Sequence, residues 1–205
     1  MRYTRPDSFP PIVKNLIIIN VLVFLAQNIF DKQYNLTARL GLWAVNSPFF
    51  EPYQIATHMF THGGITHILF NMFGLWMFGR VLENVWGPKK FFLFYIICGV
   101  GAAVAHLAVQ YFTGGSGLAV GASGAIMGIF AAFAYLFPNT EMFIMFIPIP
   151  IKAKWAIIGL AAYDLFSGVA RFSGDNIAHF AHLGGALAGF ILVLIWNKTD
   201  RKRFY

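Results

Sequence analysis

Apolar residues fall in six long stretches separated by short polar connections, at about residues 12–30, 66–82, 91–112, 121–137, 149–170 and 176–197. A helix that crosses roughly 30 Å of hydrocarbon needs about 17 to 25 predominantly apolar residues, and each stretch meets that length. The pattern therefore predicts an all-α, polytopic membrane protein built as a bundle of six transmembrane helices. No internal repeat divides the chain, so residues 1–205 are expected to form a single membrane domain, with short tails at about 1–11 and 198–205. The one long connection, about 31–65, mixes Asp31, Lys32, Asn35 and Arg39 with Leu40, Leu42, Trp43, Phe49 and Phe50. That mixture predicts an amphipathic loop lying in the membrane interface.

Composition strengthens this reading: 58% of residues are hydrophobic, 18% aromatic and only 11% charged, with a mean hydropathy of +0.64. Charge then orients the bundle. With the N-terminal side in the cytoplasm, Arg2, Arg5, Lys14, Arg80, Lys89, Lys90, Lys152, Lys154, Lys198, Arg201, Lys202 and Arg203 fall inside, and only Lys32, Arg39 and Arg171 fall outside. Such a bias in short loops sets orientation. The expected location is a bacterial inner membrane with both termini cytoplasmic. The net charge of +7 is read as facing the anionic leaflet; scattered among short loops, it does not form a nucleic-acid stripe. The first stretch follows three basic residues without a small-residue cleavage site, as an uncleaved signal anchor does. Cys98 is the single cysteine, so no disulfide can form within the chain.

Polar groups inside these stretches carry the candidate chemistry. Ser123 stands in Gly121-Ala122-Ser123-Gly124, His182 in the last stretch, and His67 and Asn71 in the second. Ionisable groups at membrane depth are costly and mark functional sites. From the inner boundaries at Phe137, Asn197 and Arg80, about 1.5 Å per residue puts Ser123, His182 and His67 at one level, roughly 20 to 23 Å up. Asn71 lies one turn deeper on the His67 face. A serine hydroxyl becomes a nucleophile when a base takes its proton, and imidazole suits that task. His67, Asn71 and the backbone N–H of Ser123 suit the stabilisation of an oxyanion. Small residues at Gly121, Gly124 and Gly128, at Gly185 and Gly189, and at Gly74 and Gly79 predict close helix contacts, with the fourth and sixth stretches the best candidates to touch. Gly114-Gly115-Ser116-Gly117 predicts that the fourth helix begins late, with its N-terminus in an outward cavity that supplies water.

These motifs together resemble the rhomboid family of intramembrane serine proteases. Gly121-Ala122-Ser123-Gly124 is similar to the family's G-x-S-G, and Ala181-His182-Leu183-Gly184-Gly185 to its sixth-helix histidine followed by small residues. His67-Ile68-Leu69-Phe70-Asn71 is similar to its H-x-x-x-N, and Gly79, Glu83 and Gly87 to the run that closes that helix. The resemblance covers about residues 12–197. It implies a serine endopeptidase that cuts in or near transmembrane segments of membrane-protein substrates, with Ser123 as nucleophile, His182 as general base and acid, and His67, Asn71 and Ser123 forming the oxyanion hole. Gly121, Gly124 and Gly185 would support the site. Substrates would enter sideways from the lipid between the second and fifth helices, and no metal or cofactor is implied. Two positions depart from the pattern. Tyr53-Gln54 replaces the Trp-Arg pair usual in the first outer loop, and Met127 replaces an aromatic against the histidine, so a thioether is expected to hold His182. Asp164 receives no role from the pattern.

Two other readings stand beside this one. His58, His62, His67, His179 and His182 form a set whose spacing can hold zinc, as in a metal-dependent membrane hydrolase or transporter. A proteolytically silent relative that binds transmembrane clients is the other, and the presence of both Ser123 and His182 argues against it.

Overall fold

The computed structural model describes residues 6–143, 150–170 and 179–199. The charges at Arg2, Arg5, Arg171, Arg201, Lys202 and Arg203, and the beginnings of the fifth and sixth apolar stretches, lie outside the described residues. The protein is an all-α, polytopic membrane protein. Long helices run over α1 (Pro11–Tyr34), α6 (Pro88–Thr113), α8 (Ala153–Ala170) and α9 (His179–Thr199), with a shorter α7 (Ser123–Leu136). The second stretch is α4 (Ile65–Gly74), a wide π turn over Leu75–Gly79, and α5 (Arg80–Trp86) in one continuous rod. Among the described residues, four helices, α1, the α4–α5 rod, α6 and α9, are long and apolar enough to cross a membrane.

The apolar faces divide as a bilayer requires. On α1, Ile18, Leu22, Leu25 and Ile29 are exposed at helical spacing, whereas Val13, Leu16 and Asn20 are buried. On α4, Ile65, Leu69 and Phe73 face outward, and Ile68, Asn71 and Met72 face the bundle. Exposed apolar stripes of this length need lipid as their solvent. Beneath them lies a core of Leu75, Leu82, Phe91, Phe94, Tyr95 and Ile129, with Phe78 edge-on to Phe130 and Phe133. Arg80 sits 4.4 Å over the Trp76 ring and Lys90 4.5 Å over Trp196, the apolar-stem, charged-head arrangement expected where helices leave the hydrocarbon.

Glu83 closes the inner end of this core. Its two carboxylate oxygens accept the backbone N–H groups of Ile12 (2.9 Å) and Val13 (2.8 Å). These are first-turn donors of α1 that have no partner within the helix, and a carboxylate there also complements the helix dipole. The connection between the fourth and fifth stretches differs from the expected continuous helix from 149. An antiparallel hairpin pairs β1 (Glu141–Phe143) with β2 (Pro150–Lys152), Glu141 opposite Lys152. Pro138 ends α7 because the residue before a proline is pushed out of the helical region, and Pro150 holds the chain extended until α8 begins at Ala153.

The long connection, residues 35–64, is folded rather than merely adsorbed. It contains α2 (Leu36–Leu40), α3 (Gln54–Thr57) and a 3-10 turn at His58–Phe60. Its hub is the buried Gln54 side chain. The amide oxygen accepts from the N–H of Trp43 and Glu51, and the amide nitrogen donates to the carbonyls of Arg39 and Phe49. Gln54 thus ties the loop to itself at the position where the family pattern has arginine. Gln27 of α1 then pins the loop's end, accepting from His62 N–H (3.0 Å) and donating to His62 carbonyl (3.1 Å).

Candidate active site

Small residues let three helices approach until backbones touch. A Cβ on Gly185 of α9 would run into the carbonyl of Gly124 on α7, and one on Gly189 would lie 2.6 Å from the Cα of Gly128. On the other side, a Cβ on Gly124 would collide with Ala102 of α6, and one on Gly128 with Cys98. The expected contact between the fourth and sixth stretches is therefore present, and buried Cys98 is part of its packing. Small faces of this kind are how membrane helices gain dispersion contacts where no hydrophobic drive exists between them.

This seam sets the reacting pair. α7 has 14 residues, about 21 Å at 1.5 Å per residue, too short for a core of roughly 30 Å. Residues 114–122 cover the rest without helix, so the helix begins below the surface, at Ser123. The Ser123 Oγ lies 2.8 Å from His182 Nε2. On the far side of the ring, Nδ1 is 3.1 Å from each carboxylate oxygen of Asp164. An ionised carboxylate only accepts, so Nδ1 carries the proton and Nε2 accepts from the serine hydroxyl. Asp164 Oδ1 also accepts from His179 Nδ1 at 2.8 Å. Asp164 and His179 are buried, with side chains 3% and 6% exposed, whereas the His182 side chain is 16% exposed.

The segment before Ser123 is clamped by the long connection. Leu42 and Ala119 exchange both backbone hydrogen bonds (2.8 and 2.9 Å), Gly121 N–H donates to the His58 carbonyl (2.8 Å), and Gln110 Nε2 donates to the Gly117 carbonyl (2.6 Å). Gly121 has φ +120, a conformation nearly closed to residues with a side chain. It also leaves room for the His67 ring, since a Cβ there would lie 2.7 Å from His67 Nε2. His67 Nδ1 accepts a long 3.4 Å bond from Gly63 N–H, and its ring meets His62 edge-on at 5.2 Å.

Of the residues expected at the site, Ser123, His182, His67 and Gly121 are thus gathered, with Gly124 and Gly185 directly behind them. Asn71 is on the same wall, but its amide donates to the His67 carbonyl at 2.8 Å, so as an oxyanion donor it would have to turn. Met127 is buried in α7. The histidine's Nδ1 is held by the Asp164 carboxylate, an acceptor that an Nδ1 proton in the bundle interior needs. His58 and His62 belong to the loop: His58 Nδ1 bonds the Gln54 carbonyl, and burial pushes His62 down to about 4, with His67 adding repulsion. Asp164, His179 and His182 each offer one donor atom within 4.8 Å of the others, a spacing a metal ion could use. Hydrogen bonds among the three already account for it.

Asp164 is what the motif reading missed. A carboxylate in an otherwise apolar stretch demands a partner, and Asp164 stands eleven residues above the start of α8, about 16 Å by the same rise. That is close beneath the level of His182, so depth arithmetic alone could have paired them.

A membrane bundle in which a serine at a helix start faces an imidazole on a neighbouring rod has the architecture of an intramembrane hydrolase. Comparison with known proteins narrows the class. Residues 50–198 match the family model described as the Rhomboid domain, and the chain belongs to the rhomboid family. It is 30% identical over 197 residues to the human presenilin-associated rhomboid-like protein, mitochondrial, covering 92% of this chain and 50% of that protein. It is 30% identical over 152 residues to Rhomboid protein 1, mitochondrial, of Saccharomyces cerevisiae, covering 70% of this chain and 42% of that one. Rhomboid-like protein 11, chloroplastic, of Arabidopsis thaliana is 30% identical over 196 residues, covering 89% and 64%. The chain spans about half the length of the human relative.

Proposed function

We propose that the protein is an intramembrane serine endopeptidase that hydrolyses peptide bonds in or near transmembrane segments of membrane-protein substrates. The observation that carries this reading is the 2.8 Å approach of Ser123 Oγ to His182 Nε2. In the proposed reaction, Oγ attacks the scissile carbonyl carbon as its proton passes to Nε2. The oxyanion then meets the backbone N–H of Ser123, which has no partner inside α7 because first-turn donors never do, and the His67 ring against Gly121. Asn71 joins by releasing the His67 carbonyl. His182 returns the proton to the leaving amine. Water enters, gives its proton to Nε2 and attacks the acyl ester, and Ser123 is regenerated.

Substrate class follows from access. The lipid-facing sides of α4, at Ile65, Leu69 and Phe73, and of α8, at Trp155, Ile158 and Phe166, are exposed and apolar, a surface that suits a helix arriving from the lipid between them. Helical amides are hidden, so the substrate must unwind locally before attack. We propose that its N- and C-terminal sides are cytoplasmic and the site opens outward, supported by the distribution of Lys and Arg. The relatives named mitochondrial or chloroplastic lend their location only to themselves.

The test is direct. The purified protein, reconstituted in liposomes with a single-span helical peptide, is expected to cut it once, with the site located by mass spectrometry. Ser123→Ala and His182→Ala should each reduce turnover by about 10⁴-fold or more while melting like the parent. A His182→Ala variant that cleaves at the parental rate overturns the dyad, and a parent that captures the peptide without cutting it across several lipid compositions replaces the protease with a client-binding role.

A further inference from the structure

Beyond the dyad, one buried group has no task in the reaction as written. Asp164 is 2% exposed, sits on an apolar helix, and receives two imidazoles at once, His179 Nδ1 at 2.8 Å and His182 Nδ1 at 3.1 Å. The two histidines are three residues apart on α9, so both rings leave the same face of that helix. Asp164 reaches them from α8. We propose that Asp164 is a positioning residue for the proposed hydrolysis, fixing the tautomer and direction of the His182 ring, and that His179 in turn holds the Asp164 carboxylate in place.

The physical argument runs through the proton on the imidazole. A neutral histidine can carry its proton on either nitrogen, and only the form with Nδ1–H leaves Nε2 able to take a proton from Ser123. A carboxylate against Nδ1 selects that form. When Oγ attacks, Nε2 gains the serine proton, Nδ1 keeps its own, and the resulting imidazolium faces an anion that stays ionised. The carboxylate has spare acceptor capacity, and the His179 N–H occupies Oδ1. This leaves the carboxylate braced between two rings of one helix instead of free to rotate. His179 meets the dyad through the Asp164 carboxylate, and it acts through that group.

This inference rests on the proposed protease reading, and its test separates the two. Protein labelled with ¹⁵N in its imidazoles is examined in micelles, with His182→Ala supplying the difference spectrum. The wild type is expected to show a downfield Nδ1–H resonance of His182, lost or strongly moved in Asp164→Asn. In the cleavage assay Asp164→Asn should lower kcat by about 10²- to 10⁴-fold, the range of general-base assistance, with KM within about twofold. His179→Asn should lower kcat less, by about tenfold, and weaken the same resonance. A purely structural carboxylate would instead cost folded protein while the folded fraction kept its kcat. Wild-type kcat in folded Asp164→Asn, or a wild-type His182 spectrum of mixed tautomers, overturns the proposal. Should Asp164→Asn fail to fold, the wild-type spectrum and His179→Asn decide. If the wild type cleaves nothing, the protease reading fails, and the Nδ1–H resonance still reports whether Asp164 orients His182.

Discussion

The two walls of the site are built by different means. Ser123 and His182 stand on α7 and α9, whose backbones meet at Gly124, Gly128, Gly185 and Gly189 with no room for a methyl group at the closest points. His67 faces them from α4, which the loop holds through a 3.4 Å bond from Gly63 and an edge contact with His62. The first wall cannot close further, because bringing the two helices nearer collides backbone with backbone. The second is borne by the loop pairing of Leu42 with Ala119 and of His58 with Gly121, which can shift by side-chain and loop movement. Proton transfer needs a fixed distance, whereas an oxyanion pocket must open to admit a substrate, so the rigid means serves the pair and the adjustable one serves the donors.

Breaking the rigid wall should have the largest effect. Gly185→Val places a branched side chain against the Gly124 carbonyl, and overpacking of this kind costs about 1 to 3 kcal/mol. Because it separates α7 from α9 at the level of the dyad, turnover should fall by about 100-fold or more, since misplacement by 1 Å is enough for that. Peptide cleavage and thermal unfolding in micelles, measured together, check it. Parental activity would mean that the seam is not what sets the Ser123–His182 distance.

Gln54→Ala attacks the adjustable wall from its far end. Two N–H groups and two carbonyls of the loop lose their partner, at about 1 to 3 kcal/mol for a buried group left unsatisfied. Thermal stability should drop clearly and kcat by about tenfold, as Gly121 loses its template. Asn71→Ala should be milder for stability and lower kcat by about tenfold, less than the 10²- to 10³-fold seen for a preformed oxyanion donor. Its amide already serves the His67 carbonyl, and other donors remain. An Asn71→Ala loss equal to that of Ser123→Ala would show that this wall is as rigid as the other.

The smallest effect concerns pH. His62 lies in the loop, with burial holding it down to about 4 from 6.5, and His67 repelling its charge in addition. The unfolded chain therefore binds a proton that the folded one refuses between about pH 6.5 and 4, so stability is full above this window and falls as pH drops through it. Unfolding midpoints in micelles at pH 7.5 and pH 5 should differ, and His62→Phe should flatten the difference. An unchanged slope would remove His62 as its source.

Much of this was legible in the chain. Lengths of apolar stretches located α1, the α4–α5 rod, α6 and α9, because the bilayer enforces helix and length together. Ser123, His182 and His67 stood out as polar groups in apolar stretches, and counting turns from the inner boundary put them at one level. The hairpin at 141–152 was not, since three-residue strands leave little periodic signal. Nor was the Leu42–Ala119 pairing, which joins residues far apart in sequence by backbone alone. Gln54 read as a departure from the family pattern, and only its four backbone contacts show what it holds.

Residue order by itself thus determined that the chain is an all-α, polytopic membrane protein, how far each polar group lies along its helix, and which faces are small enough to touch. Rise per residue and the cost of exposed amides are properties of the chain and its solvent, so they need no neighbour. Rotation about each helix axis is different. Whether Asp164 turns toward His182 or toward lipid, and whether the loop reaches the segment before Ser123, depends on how rods pack side by side. That is settled by contacts between residues distant in sequence, and tertiary structure alone supplies them.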